Sequence, residues 1–126
     1  MVKKSKTTAT TPAISRLLGN IQPFYRKIDV DLILRTTAKT RRKWEGFLID
    51  NCDDFANYFK PNHGLNFYQV VCLCFISDWK FQFPSISDEQ LIEMINQNSD
   101  QFSLNNAMKF TSKQSPKKTT QLVKVA

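Results

Sequence analysis

The sequence predicts an all-α fold, a small bundle of about five helices, on three observations. Apolar residues recur at three- and four-residue spacings from Val30 to Phe55, the period of one helix face. Two segments open on capping-box signatures, Asn66 with Gln69 and Ser87 with Gln90. Between them Val70–Ile76 is apolar on every side, as expected of a helix at the centre of a bundle. At 126 residues, 41% of them hydrophobic and ten of them Phe, the chain has room for one packed core.

Taken in order, residues 1–12 (Lys, Thr, Ser and Ala before Pro12) are expected to be a disordered basic tail. The folded domain is expected over 13–112. A short first helix uses Ile14, Leu17 and Leu18 and stops at Gly19-Asn20. Asp29 is suited to cap the next helix, with Ile28 and Ile33 as a hydrophobic staple. Val30, Ile33, Leu34, Thr37 and Ala38 then share a face, and a turn is expected at Ala38–Thr40. Beyond it Trp44, Phe47, Leu48 and Phe55 form a second apolar face, with helical spacing to Phe59. One unbroken helix is the competing reading, because Val30, Leu34, Thr37, Arg41, Trp44, Leu48, Asn51 and Phe55 also fit a heptad.

The turn Lys60–Gly64 gives Gly64 the place for a positive φ. Asn66 then caps a helix running to Pro84, with a strand hairpin over 67–83 as the alternative. Ser87 opens a helix with Leu91, Ile92 and Ile95 inward. A turn at Asn98–Asp100 leads to a last short helix, suggested by Leu104, Ala107 and Met108. From Lys113 to the end, 113–126, a second disordered basic tail is expected.

The formal charge of +7 is unevenly placed. Residues 1–43 hold eleven bases against two acids, and 44–112 hold three bases against nine acids. The tail adds four lysines. A basic front on an acidic body suggests a polyanionic partner at one end and a protein partner, or a second copy of the chain, at the other.

Within the basic front, residues 31–49 resemble a helix-turn-helix. Leu34 stands at the small inward position of the first helix, Ala38 at the turn position usually held by Gly, and Trp44 and Phe47 at the inward positions of the second. Leu34 is larger than usual there, and Lys39 stands where an apolar residue is common. The resemblance implies a recognition helix in the major groove, with Thr40, Arg41, Arg42, Glu45 and Ile49 turned toward DNA. Arg suits guanine, Glu suits cytosine, and Lys43 suits a phosphate, with Lys39 a further nucleic-acid-binding residue. With Thr40 as cap, Arg41, Arg42 and Lys43 would fill the first turn, where the macrodipole disfavours cations by about 0.3–1 kcal/mol each. A phosphate would offset that cost. Secondary phosphate contacts are expected from Arg26 and Lys27, and from Lys117 and Lys118 in Ser115-Pro-Lys-Lys118. That tetrapeptide resembles the SPKK element of minor-groove-binding chromatin tails.

Other chemistries find less support. Cys72 and Cys74 lie two apart, and with Cys52 and His63 they match no zinc spacing, so buried thiols and no metal are expected. His63 is the one histidine, set in a turn, and three glycines form no phosphate-cradling loop. No enzyme and no cofactor are expected. An odd cysteine count and no apolar leader point to a soluble intracellular protein, cytoplasmic or nucleoid-associated, or nuclear in a eukaryote. The expected function is a small duplex-DNA-binding protein, a regulator or an accessory factor of a mobile element or virus. The alternatives are a protein-interaction module of a larger complex and an RNA-binding protein.

Overall fold

The computed structural model describes residues 11–114, and it is all-α apart from one two-stranded ladder. Seven α-helices occur among these residues, more than the five expected, because short helices flank the long ones. Of the expected tails, residues 1–10 and 115–126 lie outside the described residues; residues 113–114, expected to belong to the second tail, instead complete the last helix, which runs on to Gln114.

The centre is α5 (Phe67–Gln82; helices are numbered in chain order), which buries Val70 to Cys74 and Ile76. The hairpin alternative for 67–83 is thereby excluded. Asn66 and Gln69 form the reciprocal capping box the sequence signals. The first helix, α1 (Ala13–Leu18), starts at Pro12, and its orphan amides are met from α5. The Asp78 carboxylate accepts the N–H groups of Ala13 at 2.6 Å and Ile14 at 3.2 Å.

Strand β1 (Phe24–Tyr25) pairs antiparallel with β2 (Leu65–Asn66), Phe24 opposite Asn66 and Tyr25 opposite Leu65. The ladder explains Gly64, though not as expected. Its φ is not positive; Asn62 takes that conformation in this turn, at φ 67°. Gly64 is instead a close approach, since a Cβ there would stand 2.2 Å from the Tyr25 carbonyl oxygen and 2.7 Å from the Phe24 ring.

Helix α2 (Lys27–Leu34) begins after Arg26, so Asp29 lies in its first turn rather than at its cap. Ile28 is exposed, and the expected staple does not form. The helix ends in a Schellman motif: Arg35 is left-handed (φ 56°), its N–H reaches the Leu32 carbonyl, and the Thr36 N–H reaches that of Asp31. Arg thus occupies the place where Gly is usual. Thr37 then caps α3 (Ala38–Asn51), its Oγ1 accepting the Thr40 N–H at 3.2 Å. The chain therefore breaks, and 30–59 is not one helix. The break is at Arg35–Thr37, before the expected Ala38–Thr40.

A single extended residue, Cys52, separates α3 from α4 (Asp53–Tyr58). After α5, Ser87 and Gln90 form the second capping box and open α6 (Asp88–Gln97) with Leu91 and Ile95 buried. A 3₁₀ turn over Ser99–Phe102 precedes α7 (Leu104–Gln114). Ala107 is buried there and Met108 is exposed. The Phe102 carbonyl ties this end to the core, accepting the Tyr68 hydroxyl at 2.5 Å and the thiols of Cys52 and Cys72 at 3.9 Å.

Candidate nucleic-acid interface

The hairpin of α2 and α3 is fixed by a buried ionic cluster. Arg41 is 4% exposed and Glu45 3%. Arg41 Nε donates to Asp31 Oδ1 at 2.5 Å across the turn, and Nη1 donates to Glu45 Oε2 at 2.9 Å one turn along. Burial alone would lower the Arg41 pKa, but the hydrogen bonds and charges of Asp31 and Glu45 raise it above its ordinary value. This corrects the expectation that Arg41 and Glu45 look outward. Both are committed to holding two helices together, and neither can meet a base without leaving a charge unpaired in the interior.

The remaining α3 residues separate by face. Trp44 and Leu48 join Arg41 and Glu45 inside, while Lys39, Arg42 and Lys43 are exposed on the opposite side. Lys39, Arg42, Lys43, Gly46, Ile49 and Asp50 follow helical spacing, so they share this outer face. Thr40 is half-buried, and its hydroxyl accepts from Thr37 Oγ1 at 3.2 Å. Because Thr37 is the cap, the first turn holds Ala38, Lys39 and Thr40. The macrodipole cost therefore falls on Lys39 alone of the basic residues. Lys43 Nζ reaches the Asp88 carboxylate of α6 at 3.3 Å, and both side chains are about half exposed.

The secondary positions do not join this face. Arg26 pairs with Asp29 at 2.9 Å in solvent, and Lys27 Nζ sits 5.0 Å over the Phe59 ring. Both lie at the far end of α2 from the turn, about 12 Å away by helix length. Lys117 and Lys118 lie outside the described residues.

Beside the turn is a cluster that sequence reasoning missed. A crevice of about 380 Å³ separates the turn from α1 and from the end of α5, lined by Arg16, Arg35, Lys80 and Asp78 with Trp44 and Phe81. Arg16 Nε donates to the Ile33 carbonyl at 2.8 Å, and its Nη1 meets the Thr11 carbonyl. Burial and the nearby Arg35 hold the Arg16 pKa below its ordinary value, outweighing Asp78. Cations are thus crowded at this end of the hairpin. No local pattern announces it, because Arg16, Arg35 and Lys80 come from three separate elements.

Apolar surface lies elsewhere. Ile28 (62% exposed) and Leu32 (69%) stand one turn apart on α2, with Phe24 exposed on β1. A groove of about 810 Å³ runs along Phe83, Ile86 and Met94, bordered by Gln90, Glu93 and Gln97. All three cysteines are buried, and burial pushes each thiol pKa up, that of Cys52 to about 11. Among the described residues no group of three His, Cys, Asp or Glu side chains is placed to hold a metal ion, and no helix is long and apolar enough to cross a membrane.

Comparison with protein families, curated proteins and solved structures finds no match to this chain.

Proposed function

We propose that the protein binds duplex DNA, with α2 and α3 acting as a helix-turn-helix and the first half of α3 lying in the major groove. The observation that carries this reading is the outer face of α3. Over its first two turns it presents Lys39, Arg42 and Lys43 and no acid of its own, away from the buried Arg41–Glu45 side, with Asp88 of α6 paired to Lys43 at its edge. Arg42 is the candidate for bidentate reading of a guanine, and Lys39 and Lys43 for phosphates. Arg35 and Arg16 at the turn add positive potential where the neighbouring backbone would pass. The ionic cluster supports the same reading indirectly: it holds the angle between the helices, which a recognition helix needs to enter a groove in one orientation.

The test is duplex affinity as a function of salt for the parent and for Lys39→Ala/Arg42→Ala/Lys43→Ala. The parent should bind with a steep salt slope, and the triple variant should lose about 0.9 of slope for each phosphate contact removed. Equal affinity and slope in the two proteins rule the reading out. Competition with structured RNA decides between the two nucleic acids.

A protein-interaction module is the second reading, favoured by the exposed pair Ile28 and Leu32, by the exposed Phe24 and by the groove along Phe83 and Met94. It requires concentration-dependent sedimentation or a co-purifying partner, together with negligible duplex affinity near physiological salt.

A further inference from the structure

Gly46 occupies the interior of α3, a position where glycine is among the least favourable residues. The fold offers no compensation for it. Its φ is not positive, so no special backbone conformation calls for glycine. An added Cβ would meet nothing within 4 Å, so no internal packing calls for it either. At 3.6 residues per turn Gly46 sits at the middle of the outer face, with Arg42 and Lys43 one turn before it, Ile49 and Asp50 one turn after, and Lys39 two turns before. The cationic half of the face therefore ends at a spot with no side chain.

We infer that Gly46 is where the helix backbone comes closest to bound DNA, its bare Cα facing the floor of the major groove between the reach of Arg42 and that of Lys43. The geometry makes this reasonable. A helix with its side chains is about 10–12 Å across and the groove about 12 Å wide, so little clearance remains. Removing one side chain at the centre of the contacting face lets the helix sit deeper. Arg42 and Lys43 then reach base edges and phosphates without withdrawing the helix axis. The same spot marks the limit of the footprint. Asp50, one turn beyond, is acidic and belongs outside the phosphate rim.

This inference rests on the duplex reading proposed above, and the experiment separates the two. Duplex affinity and thermal unfolding are measured for the parent, Gly46→Ala, Gly46→Leu and Lys39→Ala/Arg42→Ala/Lys43→Ala. Gly46→Ala and Gly46→Leu should melt higher than the parent, by about 4 °C or more, because each replaces a poor helix former at an open site. Gly46→Leu should nonetheless bind duplex at least about fivefold more weakly, the scale of one lost base contact. Gly46→Ala should fall between Leu and the parent. Full duplex affinity in Gly46→Leu, with the triple lysine and arginine variant still impaired, overturns the close approach and leaves the DNA reading standing. No salt-dependent duplex binding by the parent overturns both. Because the glycine variants are expected to be more stable, weakened binding in them cannot be ascribed to unfolding.

Discussion

Arg41 is the residue whose environment departs furthest from what its neighbours in sequence suggest. It stands in the run Arg41-Arg42-Lys43, and as part of a basic triplet it reads as a surface cation. Its true partners lie ten residues back, at Asp31, and four residues on, at Glu45. The Glu45 pairing has a local signal, since i and i+4 share a helix face. The Asp31 pairing has none, because it depends on how the chain turns at Arg35. The heptad that included Arg41 among apolar positions did carry the information that it faces inward, although the single unbroken helix it implied does not form. Truncating Arg41 leaves two carboxylates facing each other without their cation, a large penalty in the interior. Arg41→Ala should therefore lose about 3–5 kcal/mol in urea unfolding. Arg42→Ala, next to it but exposed, should change stability by less than about 0.5 kcal/mol. Comparable losses for the two variants contradict the buried cluster.

At the scale of elements, the reciprocal local signals hold, whereas the Asp29 cap with its staple does not. Both capping boxes form, at Asn66 and at Ser87, because each needs only a side chain and an amide three residues apart. The break between α2 and α3 was legible as an expected turn competing with a heptad, but its position was not. A left-handed Arg35 replaces the expected Gly or Asn, and no residue preference marks it. That three-residue displacement moved the cap from Thr40 to Thr37 and so changed which cations lie in the first turn and which face they occupy. The contact between α3 and α6 was likewise invisible in sequence, since Lys43 and Asp88 are 45 residues apart. It bears on function, because Asp88 neutralises one of the three exposed cations of α3. Asp88→Asn should raise duplex affinity, by up to about fivefold for an exposed pair worth at most about 1 kcal/mol. The same change removes an acid from the first turn of α6 and should lower stability by about 0.3–1 kcal/mol. Opposite movements of affinity and stability are the signature; unchanged affinity means that Lys43 does not face DNA.

For the whole molecule, the all-α class follows from the unbroken apolar run of α5 and from helical spacing on both sides of it, features dense enough to survive errors at element boundaries. What the sequence left hidden is long-range: Asp78 capping α1, Asp54 accepting the Leu104 N–H at 3.2 Å to start α7, and the convergence of Cys52, Cys72 and Tyr68 on the Phe102 carbonyl. Together with the separately buried Cys74, those groups give the folded state a distinctive alkaline limit. Burial raises the pKa of each of the three thiols above its ordinary 9.0 and that of the Tyr68 hydroxyl above 10.0, so all four are neutral in the fold at pH values where the unfolded chain ionises. The folded state then binds more protons than the unfolded one, and stability falls as pH rises. The contribution is complete below about pH 9 and is lost from there upward, through the Cys52 value of about 11. Each thiol adds up to about 1.4 kcal/mol of loss per pH unit in that window. Melting temperature should hold steady from pH 7 to 8.5 and then drop steeply by pH 10.5. In Cys52→Ala/Cys72→Ala/Cys74→Ala the starting stability should be lower, because three core side chains are truncated, but the decline between pH 9 and 10 should be much shallower. Parallel declines in the two proteins would mean that something other than the buried thiols sets the alkaline limit of this fold.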